Sequence, residues 1–458
     1  MTDMNSTQTP STNTEAPAQS SAATAEMDIN GKSRPATPLQ RRVLAGGAIG
    51  QFIEFYDFTL YGLSAVVLAH HFFPSSNDLT GLLATFATFA AAFVIRPLGG
   101  LFFGALGDRV GRKNVLFVTL LTIGGATALI GLLPTYQQIG VAAPILLVLC
   151  RLLQGFSAGG ESVGAPTFTY EHAPTAHRGK WLNTTIAATA LPSVFGGALI
   201  LGLTAAMGSG AFESWGWRIP FLLAAPLAVF GLWIRLRTEE SDAFKETLSN
   251  VEHRESSPIR EAFRENGLRM VQVVFVMGLT AMGFYFLSGY FVTYVKTTGG
   301  LSQQQSLIAN AAAMSLYTLM LPLTGMLGDR FGRRPMLIAG TISIAILAVP
   351  CFAMVTSGSL AMAIAGQMLF VIPLTIYGGG CYTFFVEAFT TRTRFTSAAI
   401  SYNTGYALFG GTAPFVGTWL VGSTGFDAAP GVYMAIAAVV VLTVIIATRV
   451  PETRHAAL

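Results

Sequence analysis

Gly104-Ala-Leu-Gly-Asp-Arg-Val-Gly-Arg-Lys113 recurs 221 positions later as Gly325-Met-Leu-Gly-Asp-Arg-Phe-Gly-Arg-Arg334, and each copy joins two long apolar runs. The chain is therefore two related halves. A glycine-framed Asp-Arg that closes one apolar run, with more positive charge opening the next, marks a short basic loop on one face of a membrane.

Composition supports the same reading. The chain is 52% hydrophobic and only 11% charged, so its solvent is lipid rather than water. A run of about 20 apolar residues spans a hydrocarbon core of roughly 30 Å, and a helix satisfies every backbone group there. Twelve such segments are centred near Tyr56, Phe93, Gly124, Phe156, Phe195, Leu227, Phe284, Thr318, Ile344, Ile376, Phe409 and Ala437. The expected fold is an all-α integral membrane protein, with twelve transmembrane helices in two pseudo-symmetric six-helix bundles.

The expected organisation is a disordered tail over 1–40, a bundle over 41–237, a polar linker over 238–267, a second bundle over 268–449 and a short tail over 450–458. No signal-peptide core is expected before Val43. Of the 27 Lys and Arg, 23 fall in the two tails and in the loops after even-numbered segments, which puts both termini in the cytoplasm. The net charge of +4 is thus topological and implies no nucleic acid.

Other classes lack their chemistry. There is no Gly-x-x-x-x-Gly-Lys-Ser/Thr loop for an ATP-driven pump and no nucleophile-base constellation for an enzyme. Cys150, Cys351 and Cys381 show no metal or disulfide spacing, and no metal is expected. A membrane sensor on this scaffold would need a signalling domain beyond a short tail. His70 and His71 are read as interfacial residues.

Charges within the membrane are the strongest functional signal, because each costs a few kcal/mol unless it faces a cavity or a partner. Glu54 and Asp57 share one face of the first helix, three residues apart. At about 1.5 Å per residue, Arg96 on the second helix and Glu161 on the fourth reach a similar depth, and Arg151 lies higher on the fourth. Close carboxylates in low dielectric favour each other's protonated form, which suits a proton carrier. Arg96 is the candidate substrate contact, since a guanidinium holds a carboxylate with two parallel hydrogen bonds. Glu161 is open between a second proton site, a partner of Arg96 and a counter-charge for a substrate amine. A permanent salt-bridge network that only fixes packing is the competing reading. The second half supplies Tyr and amide groups instead, with Tyr377, Tyr402 and Asn403 placed best to meet substrate.

The doubled Asp-Arg motif resembles that of the major facilitator superfamily, over nearly the whole chain from about Arg41 to Arg454. Gly50-Gln-Phe-Ile-Glu-Phe-Tyr-Asp-Phe-Thr-Leu-Tyr-Gly62, Arg96-Pro-Leu-Gly-Gly100, Arg151-Leu-Leu-Gln-Gly-Phe-Ser-Ala-Gly-Gly-Glu161 and Trp217-Arg-Ile-Pro-Phe221 look like the metabolite:proton symporters, which carry citrate, 2-oxoglutarate, shikimate or proline/betaine. The resemblance implies alternating access around a central site and proton-coupled import of a small organic acid. A zwitterionic osmolyte and passive facilitation are the alternatives. It also implies a monomer in the bacterial cytoplasmic membrane, with the proton gradient in place of a cofactor. In sugar:proton symporters of the superfamily an Asp of helix one pairs with an Arg of helix four, and Asp57 and Arg151 match those positions. The resemblance further carries a repeated Glu171/Arg178 and Glu387/Arg394 spacing. It implies gate latches in which Glu171 meets Arg109 and Arg112 beside Asp108, and Glu387 meets Arg330 and Arg333 beside Asp329.

Overall fold

A computed structural model describes residues 37–110, 112–159, 163–237, 258–390 and 393–454. They are almost entirely helical, and no strand occurs among them. Spans 1 to 6 run over Pro38–Leu63 with Ala65–Phe72, Asp78–Val94 with Arg96–Val110, Arg112–Leu132, Ala142–Ala158 with Gly164–His172, Arg178–Ala187 with Leu191–Met207, and Arg218–Leu222 with Ala224–Arg237. Spans 7 to 12 run over Pro258–Tyr285 with Phe291–Thr297, Gln303–Phe331, Arg333–Val355, Leu360–Glu387, Arg394–Gly405 with Ala413–Thr424, and Ala429–Ala447.

Among the described residues, seven helices are long and apolar enough to cross a membrane alone, and nine if the two bent pairs count as spans. Phe117–Leu132 and Ala142–Ala158 are shorter apolar helices belonging to spans 3 and 4, and the two helices of span 11 are joined through a π-helical segment, Tyr406–Gly410. The twelve-span order is therefore intact. The helix of span 7 begins at Pro258, inside the segment read as linker, because Pro suits a first helical position and nothing up to Tyr285 breaks the run.

Local sequence explains the breaks. Pro97 has no N–H to donate, so span 2 stops near Ile95 and restarts at Arg96, which leaves a guanidinium at a mid-span break. Span 1 bends by 65° at Ser64. Spans 2 and 4 touch backbone to backbone: a Cβ on Gly99 would lie 1.8 Å from the Phe156 carbonyl oxygen, and one on Gly155 1.8 Å from that of Ala92. Only glycine permits this approach, and it brings Arg96 and Arg151 to one interior.

The two halves meet through spans 1 and 7, 2 and 11, 5 and 8, and 4 and 5 against 10. On the face carrying the basic loops, Asp329 accepts hydrogen bonds from the backbone N–H groups of Gly179 (2.7 Å) and Lys180 (2.9 Å). On the opposite face a Cβ on Gly289 would lie 2.9 Å from the Gly62 Cα, and the Ser193 hydroxyl donates to the Ser288 carbonyl at 2.7 Å. The halves thus close over the centre on both sides.

Candidate functional site

Span 1 is held from both flanks before it presents any charge. Tyr56 donates to the Pro220 carbonyl of span 6 (2.8 Å), and Tyr61 to the Thr85 carbonyl of span 2 (3.1 Å). Beside these anchors Glu54 and Asp57 are buried, each about 2% exposed.

The structure forms two buried pairs. Arg96 Nη2 lies 3.5 Å from Glu54 Oε1, and Arg151 Nη1 lies 3.7 Å from Asp57 Oδ2. Both guanidiniums are fully buried. Both pairs stand just outside direct hydrogen-bond distance. Among the described residues, neither Asp57 oxygen accepts a hydrogen bond, and no Arg96 nitrogen donates one. Removing one member of such a pair strands a buried charge, at about 3–5 kcal/mol.

Aromatic rings surround these charges. The Arg96 Cζ lies 4.5 Å from the Phe58 ring centre and 4.9 Å from that of Phe93. The Arg151 Cζ lies 4.9 Å from Phe58, 4.4 Å from Tyr61 and 5.5 Å from Phe89. From the second half, Tyr285 packs edge-on against Phe89 and Phe93, and its buried hydroxyl has no hydrogen-bond partner among the described residues. Rings of spans 1, 2 and 7 thus form a box around two cations, with unused donors facing inward.

Of the second-half candidates, only Tyr402 faces this centre: it lies among the groups acting on Arg96 and stacks on Tyr406 with ring centres 4.0 Å apart. Tyr377 is pinned elsewhere, donating to the Val276 carbonyl at 2.9 Å in the packing between spans 7 and 10. Asn403 bridges the halves, donating to the Ala399 carbonyl (3.0 Å) and the Gly159 carbonyl (3.5 Å). Glu161, and the side chains of Asp108, Arg109 and Arg112, lie outside the described residues.

At the basic face Arg333 binds Glu387 twice, at 3.1 and 3.2 Å, and Asp329 at 2.9 Å. Among the described residues Arg330 makes no ion pair with either carboxylate; its guanidinium lies over the Phe331 ring and its carbonyl accepts from Arg454. Glu171 reaches across the halves to Arg394 (3.7 Å), because Arg394 opens span 11 facing the first bundle. Arg178 instead stacks on Tyr170, whose hydroxyl donates to Glu387 at 3.1 Å.

Sequence reasoning missed two groups here. Phe58, Phe89 and Phe93 were hidden among 33 Phe, and Tyr285, one of the tyrosines of the second half, was not set apart from the others. Glu452 accepts from the N–H groups of Arg333 (2.8 Å) and Arg334 (3.1 Å), capping span 9, while Thr453 donates to Glu387 at 2.6 Å. The Pro451-Glu452-Thr453 that follows span 12 was the available signal.

Twelve spans in two halves, closed over a buried cluster of charge and aromatic rings, define a secondary transporter of the major facilitator fold. The chain belongs to the sugar (and other) transporter family, whose profile matches residues 44–458. It is 32% identical over 411 residues to the proline/betaine transporter of Escherichia coli (strain K12), covering 87% of this chain and 81% of that one. It is 32% identical over 415 residues to the citrate-proton symporter of Klebsiella pneumoniae, covering 88% and 92%. Among solved structures, the xylose transporter of E. coli in a partially occluded inward-open conformation superposes with a TM-score of 0.72 over 92% of this chain and all of that one, at 16% identity. That likeness concerns the fold. The family is one of transporters, not enzymes.

Proposed function

We propose that the protein is a proton-coupled symporter that imports a small carboxylate-bearing zwitterion across the bacterial inner membrane, with both termini cytoplasmic, acting as a monomer and drawing on the proton gradient. The observation that carries this reading is the central cluster itself: two loosely paired carboxylate–guanidinium couples inside a box of rings contributed by both halves.

Charge balance among the described residues supports a zwitterion over a di- or tricarboxylate. Glu54 and Asp57 offset Arg96 and Arg151 among the described residues. A zwitterion leaves that balance unchanged, whereas a di- or tricarboxylate adds uncompensated negative charge in low dielectric. Its carboxylate would take the unused donors of Arg96 and the Tyr285 hydroxyl. Its ammonium, best methylated, would lie against Phe58, Phe89 and Phe93. The relatives that transport proline and betaine support this order over the organic acid favoured by the sequence. The citrate-proton symporter keeps the organic acid as the second reading.

In the proposed cycle a proton on Asp57 loosens Arg151, substrate displaces Glu54 from Arg96, and the halves rock about the closed centre. Loss of the proton inside restores both pairs. Competition in proteoliposomes tests the assignment. A betaine should outcompete its carboxamide, a cation that lacks the carboxylate, by about 100-fold or more, since a site built for a carboxylate leaves a donor unpaired against the amide. Equal competition by the two would refute a carboxylate contact at Arg96.

A further inference from the structure

We propose that Gln154, held by Thr127, is a positioning residue for proton coupling: it keeps the Arg151 guanidinium at stand-off distance from Asp57, so that the carboxylate can take a proton. The inference rests on the Asp57–Arg151 reading above.

Arg151 Nη1 donates to Gln154 Oε1 at 2.8 Å, while its distance to Asp57 Oδ2 is 3.7 Å. Among the described residues, the remaining Arg151 nitrogens, Nε and Nη2, have no hydrogen-bond partner. The arginine's one hydrogen bond therefore goes to a neutral amide rather than to the neighbouring anion. Gln154 is fully buried, and both ends of its amide are committed. Its Nε2 donates to Thr127 Oγ1 at 2.7 Å, and Thr127 donates in turn to the Ile123 carbonyl at 2.7 Å. Because the Thr127 hydrogen goes to a carbonyl, its oxygen must accept from Gln154. That fixes the amide's NH2 toward Thr127 and its C=O toward Arg151.

Among the described residues, no other side chain donates a hydrogen bond to Asp57. Ile53 and Tyr56 of span 1, Ile123, Gly124 and Thr127 of span 3, and Ala224 and Leu227 of span 6 line a small pocket beside it; Tyr56 is the titratable group among these, and its hydroxyl is committed to the Pro220 carbonyl. The charged and titratable groups acting on the pair are Tyr61 of span 1, Arg96 of span 2 and Tyr285 of span 7, with Cys150 next to Arg151 on span 4. None of them occupies the place of Gln154. Without the amide, no hydrogen bond among the described residues holds the guanidinium back from a direct contact with Asp57. A tighter ion pair resists protonation.

The test is the pH profile of proton-driven uptake in proteoliposomes for Gln154→Leu, Thr127→Val and Gln154→Glu. Gln154→Leu should move the midpoint to lower pH by roughly 1 unit. Thr127→Val, nearly isosteric, should move it the same way by less, because the amide keeps its place but loses its lock. Gln154→Glu offers Arg151 a competing carboxylate and should move the midpoint to higher pH. If Gln154→Leu and Thr127→Val lower the maximal rate with an unmoved midpoint, Gln154 is only a packing residue and the inference is overturned. Should Gln154→Leu not fold, Thr127→Val alone decides in the same terms. Asp57→Asn separates this from failure of the underlying reading. Proton-driven accumulation that persists in Asp57→Asn overturns both. Its loss, together with an unmoved midpoint in Thr127→Val and Gln154→Leu, overturns only the role of Gln154.

Discussion

Replacing Asp329 with Asn should open the basic face of the closed protein. The carboxylate accepts from the N–H groups of Gly179 and Lys180 on the first half and from Arg333 on its own half, all within 2.9 Å. It also caps the N-terminus of Arg178–Ala187, where a negative charge is favourable. Its side chain is only 10% exposed, so water replaces little of what is lost. The amide keeps one acceptor oxygen and turns an NH2 toward a donor, so at least one charge-assisted hydrogen bond disappears. That costs about 2 kcal/mol, which is roughly a 30-fold rise in the open population. Asn183 reports the opening, since it is fully buried against Gly325 across the same interface. The rate at which a bulky maleimide labels Asn183→Cys should rise by about that factor when Asp329→Asn is added. The native cysteines are buried and serve as the silent background. A labelling rate changed less than twofold would refute the reasoning, and the bonds from Asp329 would then be dispensable to closure.

Three further outcomes follow from the same geometry. Gly289→Val pushes span 7 off Gly62 and should expose the opposite face, read as faster labelling of Ser193→Cys, whereas Gly46→Ala, which has open space around it, should not. Glu452→Ala removes the cap on span 9 and should cost about 1 kcal/mol, read as a small fall in the melting temperature of the detergent-solubilised protein. Asp57→Asn should abolish accumulation against a gradient while leaving exchange of internal for external substrate, measured by counterflow.

The doubled Asp-Arg motif and the period of apolar runs were enough to read the twelve spans, because in lipid the backbone has few other solutions. The pairing of Asp57 with Arg151 was also legible, through a resemblance that places both residues. What the sequence could not show was which contacts cross the halves. Glu171 meets Arg394 of the other half, and such a contact depends on how two bundles dock, not on local spacing. Tyr377 had the right depth but the wrong face: Gly340 lets span 9 press against its backbone, and its hydroxyl is spent on Val276. The aromatic box escaped notice for a compositional reason, since a phenylalanine that binds cations and one that faces lipid look alike in a chain this apolar.

The central claim is most directly tested by uptake of labelled glycine betaine, proline, citrate and glucose into proteoliposomes, with and without an inward proton gradient. A zwitterion should accumulate above its external concentration only while the gradient lasts, and Asp57→Asn should remove the accumulation. Equilibration independent of the gradient, or accumulation of glucose alone, would contradict it.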